Sequence, residues 1–85
     1  MIRIEHTVKD PNGMHARPAG LLVKALSGIS SDIVVSGNGK QASAKKIISL
    51  LSLAIKCGDT IEFTVSGEDE HEAAELLKAY LETHL

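Results

Sequence analysis

Thr60-Ile61-Glu62-Phe63-Thr64-Val65-Ser66-Gly67-Glu68-Asp69-Glu70 places Ile61, Phe63 and Val65 on one face of an extended segment, and Glu62 and Thr64 on the other. A period of two is the signature of a half-buried strand, and Gly67 ends it. Three acids follow at once, where the partial positive charge of a helix start favours them. Ala73, Leu76, Leu77, Tyr80 and Leu81 then form a core stripe at helical spacing, so a helix is expected to run nearly to Leu85. A strand polar on one side and a helix with one apolar stripe satisfy each other as two layers, helix on sheet.

Upstream of this unit, Gly58 reads as the C-cap of a helix over residues 44–56. Its apolar residues (Ile47, Ile48, Leu50, Leu51, Leu53, Ala54 and Ile55) spread over roughly 220°, wider than packing onto one core requires. Part of that surface is therefore expected to stay exposed. Before it, the β-branched run Ile33-Val34-Val35 leads into Ser36-Gly37-Asn38-Gly39 and a return strand Lys40–Ser43, a hairpin whose turn needs positive φ. A first helix starts after His15 with the stripe Ala19, Leu22, Val23 and Leu26 and stops at Gly28, Pro18 being tolerated in its first turn. Ile2, Ile4, His6 and Val8 alternate with polar residues as a strand that ends in the turn Asp10-Pro11-Asn12-Gly13. The order is β-α-β-β-α-β-α, an α+β open-faced sandwich with helices on one face of a mostly antiparallel sheet.

Eighty-five residues, 44% apolar and 24% charged, fit one globular domain over 1–85 and exclude a disordered or fibrous chain. One cysteine, Cys57, forbids an intrachain disulfide and a Cys-rich zinc site, and favours a reducing compartment, by default the cytoplasm. No apolar run approaches the roughly 18 to 20 residues of a membrane span, and the start of the chain lacks the apolar core of a signal peptide. With Phe63 and Tyr80 as its only aromatics and a net charge of -2, the chain has neither stacking platforms nor a basic surface for nucleic acid. The charge is uneven: residues 66–85 carry -5 and residues 1–65 carry +3. A solvated acidic helix accounts for such a run, and so does a basic remainder that meets something acidic or phosphorylated.

Among four histidines, His15 has the most informative surroundings, in Asn12-Gly13-Met14-His15-Ala16-Arg17-Pro18-Ala19. The first amides of a helix lack intrahelical partners and attract anions. Arg17 adds a forked, permanently charged phosphate ligand, and Pro18 removes only a donor that the helix could not use. A neutral imidazole is a competent nucleophile, and the phosphoramidate it forms breaks readily once the ring is protonated. A helix-capping histidine without chemistry is the alternative. His6 reads as a packed strand residue, while His71 and His84 lie far apart on the acidic helix. No histidine pair has metal-ligand spacing, and no serine has a nucleophile turn and an acid partner. Cys57 reads as a small packed side chain, with a reactive thiol as the other possibility. Lys45 and Lys46, beside the surplus apolar arc, have the look of a docking surface.

The stretch from Asn12 to Ala19 closely resembles the active-site motif of the HPr family, histidine phosphocarriers of the bacterial phosphoenolpyruvate-dependent sugar phosphotransferase system. Length, element order, Lys45 through Leu53 and Gly58-Asp59 extend the resemblance along the chain. It implies a four-stranded antiparallel sheet covered on one face by three helices. It further implies phosphorylation of His15 at Nδ1, with Arg17 as phosphate partner and the amides of Ala16 and Arg17 as donors. Enzyme I would be the donor and the IIA domains of sugar permeases the acceptors, with no cofactor and no metal. Gly20, Lys24, Lys46, Ile47, Ile48 and Leu51 are the implied docking residues. Many Gram-positive members carry a regulatory serine where this chain has Lys46, so that switch is expected to be absent here. Lys46 would instead hold a permanent positive charge near acidic partner surfaces. The resemblance fits a phosphocarrier rather than an enzyme, and a monomer that exposes one surface to successive partners. Two other readings stay open: an HPr-like regulatory paralogue in which phosphorylated His15 controls a partner, and an interaction module that never carries phosphate.

Overall fold

The computed structural model describes residues 1–85. Its elements are β1 (Ile2–Thr7), α1 (Ala16–Ala25), β2 (Asp32–Gly37), β3 (Lys40–Ser43), α2 (Ile47–Ser52), β4 (Thr60–Ser66) and α3 (Glu70–His84). The four strands form one antiparallel sheet in the order β1-β4-β2-β3. The strand read most easily in the sequence, β4, is central, with Phe63 opposite Ile4 on one side and Val35 on the other. These inward residues meet the helix stripes in one core of 22 buried apolar side chains. Phe63 lies at its middle, fully buried, a burial worth about 1.5–3 kcal/mol. The opposite sheet face, with Arg3, Glu5 and Thr7, is open to solvent. No helix is long and apolar enough to cross a membrane.

The hairpin turn is made by Asn38 (φ 53°) and Gly39 (φ 76°), and Gly37 closes β2 opposite Lys40. Positive φ at both central residues is the turn that matches strand twist. The Asn38 side chain also donates to the carbonyls of Leu53 (2.8 Å) and Ala54 (3.1 Å), tying the hairpin to the end of α2.

Several expectations are corrected. The helix expected over 44–56 has only six residues, because Lys46 is extended at its start and Ala54 takes a left-handed φ of 53° just past its end. The surplus apolar arc is thereby resolved: Leu53 and Ile55 turn inward outside the helix and are buried, the small Ala54 is exposed, and Ile48 is the one large apolar side chain of the set that is widely exposed, at 76%. Gly58 does not cap α2. It lies in the turn before β4 with φ 92°, and its amide donates to Val8. α1 ends at Ala25, three residues before Gly28, with Leu26 as its cap. On α3, Leu76 is exposed and Ala74 is buried in its place. The helix starts at Glu70, and the carboxylate of Asp69 does not cap it: it accepts the amides of Ser30 and Ser31, each at 2.9 Å, and the Ser31 hydroxyl. Cys57 is not packed but exposed.

Candidate functional site

His15 owes its position to the loop before it. The amide of Gly13 donates to the Asp10 carbonyl at 2.9 Å, and the Asp10 carboxylate accepts the Asn12 amide at 2.8 Å, an Asx turn built by the local sequence. Gly13 has φ 64°, and a Cβ there would stand 2.7 Å from the Cα of Lys56. Only glycine permits both the conformation and the approach. The next amide, on Met14, donates to the Ile55 carbonyl at 3.0 Å, and the Met14 side chain is buried. The chain therefore enters α1 at a fixed point.

His15 is the N-cap residue of α1, extended and half-buried, with no side-chain cap bond. The first intrahelical bond runs from the Ala19 amide to the His15 carbonyl at 3.0 Å. The amides of Ala16 and Arg17 precede that bond, and Pro18 has none to offer, so two helix-start donors are left beside the imidazole. Ala16 and Arg17 are both exposed. A concavity of about 220 Å³ is lined by Asp10, Asn12, His15, Arg17, Pro18, Leu21 and His84. At roughly 30 Å³ per water it has room for a small oxyanion and several waters.

The site is held from behind by α3. Tyr80 donates its buried phenol to the Pro18 carbonyl in the first turn of α1. Burial first, and the charge of Asp10 second, hold that phenol protonated well above the usual tyrosine range. The Lys9 amide donates to the Leu85 carbonyl at 2.6 Å, fixing the end of α3 to the start of the site loop.

The residues singled out in the sequence fall into separate places. His15 and Arg17 share the concavity. Gly20 faces α2, where a Cβ would meet Ile47 Cδ1 at 3.6 Å. Ile47 and Leu51 are half-buried against the core, Ile48 projects into solvent, and Lys46 is exposed at the helix start. Lys24, exposed one turn beyond Gly20, lines the groove between α1 and α3 with Leu76 and Tyr80. Lys45 is engaged, its ammonium donating to the Ile29 carbonyl at 2.5 Å. His6 is on the inner face of β1, its Nε2 without a partner in the protein. His84, set aside in the sequence as remote on the acidic helix, lines the same concavity as His15. Sequence periodicity carries no signal of this, because the approach arises from the packing of α3 against α1. No group of three His, Cys, Asp or Glu side chains is placed to hold a metal.

Comparison with known proteins gives a consistent match. The family model described as "PTS HPr component phosphorylation site" matches residues 2–83. The chain is 42% identical to the phosphocarrier protein HPr of Mycoplasma pneumoniae over 85 residues, 99% of this chain and 97% of that one. It is equally 42% identical to the HPr-like protein Crh of Halalkalibacterium halodurans over 82 residues, 96% and 98% of the two chains. Among solved structures, HPr-C-His from Thermoanaerobacter tengcongensis superposes with a TM-score of 0.91 at 35% identity, covering 98% of this chain and 93% of that one.

Proposed function

The chain belongs to the HPr family of the phosphotransferase system, and we propose that it carries a phosphoryl group on His15, received from enzyme I and passed to the IIA domains of sugar permeases. The observation that carries this reading is the placement of His15: a half-exposed imidazole at the N-cap of α1, ahead of two unpaired amides and in one concavity with Arg17. In the forward step the lone pair of Nδ1 attacks phosphorus. The bond from phosphorus to the donor breaks, and its electron pair leaves with the donor. The product dianion then faces the Ala16 and Arg17 amides and the Arg17 guanidinium, which stabilise it without burying it. Transfer to an acceptor is the reverse displacement, aided by protonation of the departing imidazole. No small molecule is turned over, which makes the protein a carrier rather than an enzyme.

Ile47, Ile48 and Leu51 on α2, with Gly20 and Lys46 beside them, form the docking surface of this reading, and the protein acts as a cytoplasmic monomer. Lys24, one helical turn beyond Gly20 on α1, extends that surface toward the α1–α3 groove. The equal similarity to Crh supports a second reading, in which the phosphorylation state of His15 controls a binding partner without sugar transport. Transfer from the phosphorylated chain to a IIA domain separates the two.

The deciding experiment is intact-mass measurement after incubation with phosphoenolpyruvate and catalytic enzyme I from the same source. One acid-labile phosphoryl group, missing in His15→Ala, is the expected result. An unmodified wild-type chain would overturn the reading.

A further inference from the structure

His84 is the one side chain of α3 that reaches the concavity of His15 and Arg17. It is exposed, yet it is not free to wander, because its ring lies tilted against that of Tyr80 with centroids 5.1 Å apart. Tyr80 is itself bonded to the Pro18 carbonyl in the first turn of α1, and the neighbouring Leu85 carbonyl holds the Lys9 amide. Both ends of the last turn of α3 are thus tied to the elements that carry the site.

A phosphoryl group on His15 brings a charge of about -1.5 to -2 at neutral pH. The concavity already holds the Asp10 carboxylate, and Arg17 is its only permanent cation. Pro18 and Leu21 present carbon. Beyond the helix-start amides, the polar side chains left to face the new oxygens are the Asn12 carboxamide and the His84 imidazole, and an imidazole offers an N–H in either protonation state.

We infer that His84 is a phosphoryl-binding residue, donating an N–H from the last turn of α3 to an oxygen of the group carried on His15. The inference rests on the phosphocarrier reading. It concerns a contact made only in the phosphorylated state, so its effect falls on the equilibrium between donor and carrier, not on the fold.

The test sets phosphoenolpyruvate and an excess of pyruvate against the protein with catalytic enzyme I, and reads the phosphorylated fraction by intact mass for wild type, His84→Leu and His84→Gln. His84→Leu is expected to lower the equilibrium constant for phosphorylation about fivefold, the scale of one hydrogen bond. His84→Gln, which keeps an N–H donor, is expected to stay within about twofold of wild type, and the ³¹P resonance of the adduct to move in the leucine variant alone. Equal constants for all three proteins would overturn the inference while leaving His15 as the carrier. An equal loss in both variants would also overturn it, assigning the effect to the lost stack on Tyr80. If wild type takes no phosphoryl group, the carrier reading fails and this inference with it.

Discussion

The Met14 amide and the Ile55 carbonyl, 3.0 Å apart, join the loop that presents His15 to the segment that follows α2. Gly13 lies directly against that joint, at φ 64° and with no room for a Cβ beside Lys56. Alanine there must either adopt a left-handed conformation or push the two loops apart. Gly13→Ala is therefore expected to cost at least about 2 kcal/mol and to slow phosphoryl transfer by misplacing His15. Urea unfolding checks the first effect, and a loss under 0.5 kcal/mol would show that the joint yields more easily than its geometry indicates.

Gly20 presents the opposite case. It is helical, lacks a positive φ, and a Cβ would make an ordinary contact with Ile47 Cδ1 at 3.6 Å. Alanine gains helix propensity and adds a methyl group to the packing of α1 on α2. Gly20→Ala is expected to raise stability by about 0.5–1 kcal/mol. Should transfer slow while stability rises, the glycine serves partner access rather than the fold.

The strands, their succession along the chain and the start of α1 were legible because each rests on local chemistry, whereas the sheet order β1-β4-β2-β3 is set by tertiary pairing. Alternation around Phe63 needs nothing beyond the pleat, and Asn38-Gly39 supplies its own turn. The length of α2 was not legible: the residues after Leu53 keep a helical apolar pattern, and only tertiary burial of Ile55 and the Asn38 bonds to Leu53 and Ala54 explain the break. His15 and Arg17 were readable from their place at a helix start. His84 was not, since 69 positions separate it from His15 and no pattern in the sequence specifies the crossing of α3 over α1.

Asp69 gives acid stability a defined origin. Its hydroxyl bond from Ser31, followed by the amide of Ser30, holds its carboxyl at about 2, below the usual aspartate range. A folded-state value below the unfolded one stabilises the protein above about pH 4, and that contribution fades as pH falls through about 2. Asp69→Asn is expected to lower the melting temperature at pH 7 and to flatten its decline between pH 4 and 2. A variant that tracks wild type through this window would remove Asp69 as the source.

On the open sheet face Glu5 and Glu62 are paired directly across β1 and β4. Like charges at such a position oppose the ladder. Replacing one with lysine turns repulsion into attraction, so Glu62→Lys is expected to stabilise the protein by about 0.2–1 kcal/mol. The gain should shrink in high salt because both groups lie on the solvent face. A salt-independent gain would point instead to strand propensity.

Ile48 is 76% exposed on α2 while its neighbours Ile47 and Leu51 help close the core. An apolar side chain that contributes so little to packing can be charged at small cost, within about 0.5 kcal/mol for a surface position. A partner that covers it would have to bury the new carboxylate, and binding would suffer accordingly. Ile48→Glu is thus expected to keep the melting temperature and to slow transfer from enzyme I at least about tenfold, an effect read as weakened association and not as slower chemistry at saturating enzyme I. Steady-state transfer at varied enzyme I concentration makes that separation. Unaltered kinetics would move the docking surface off α2, and a slower saturated rate with unchanged affinity would mean that Ile48 aligns His15 after the partners have met.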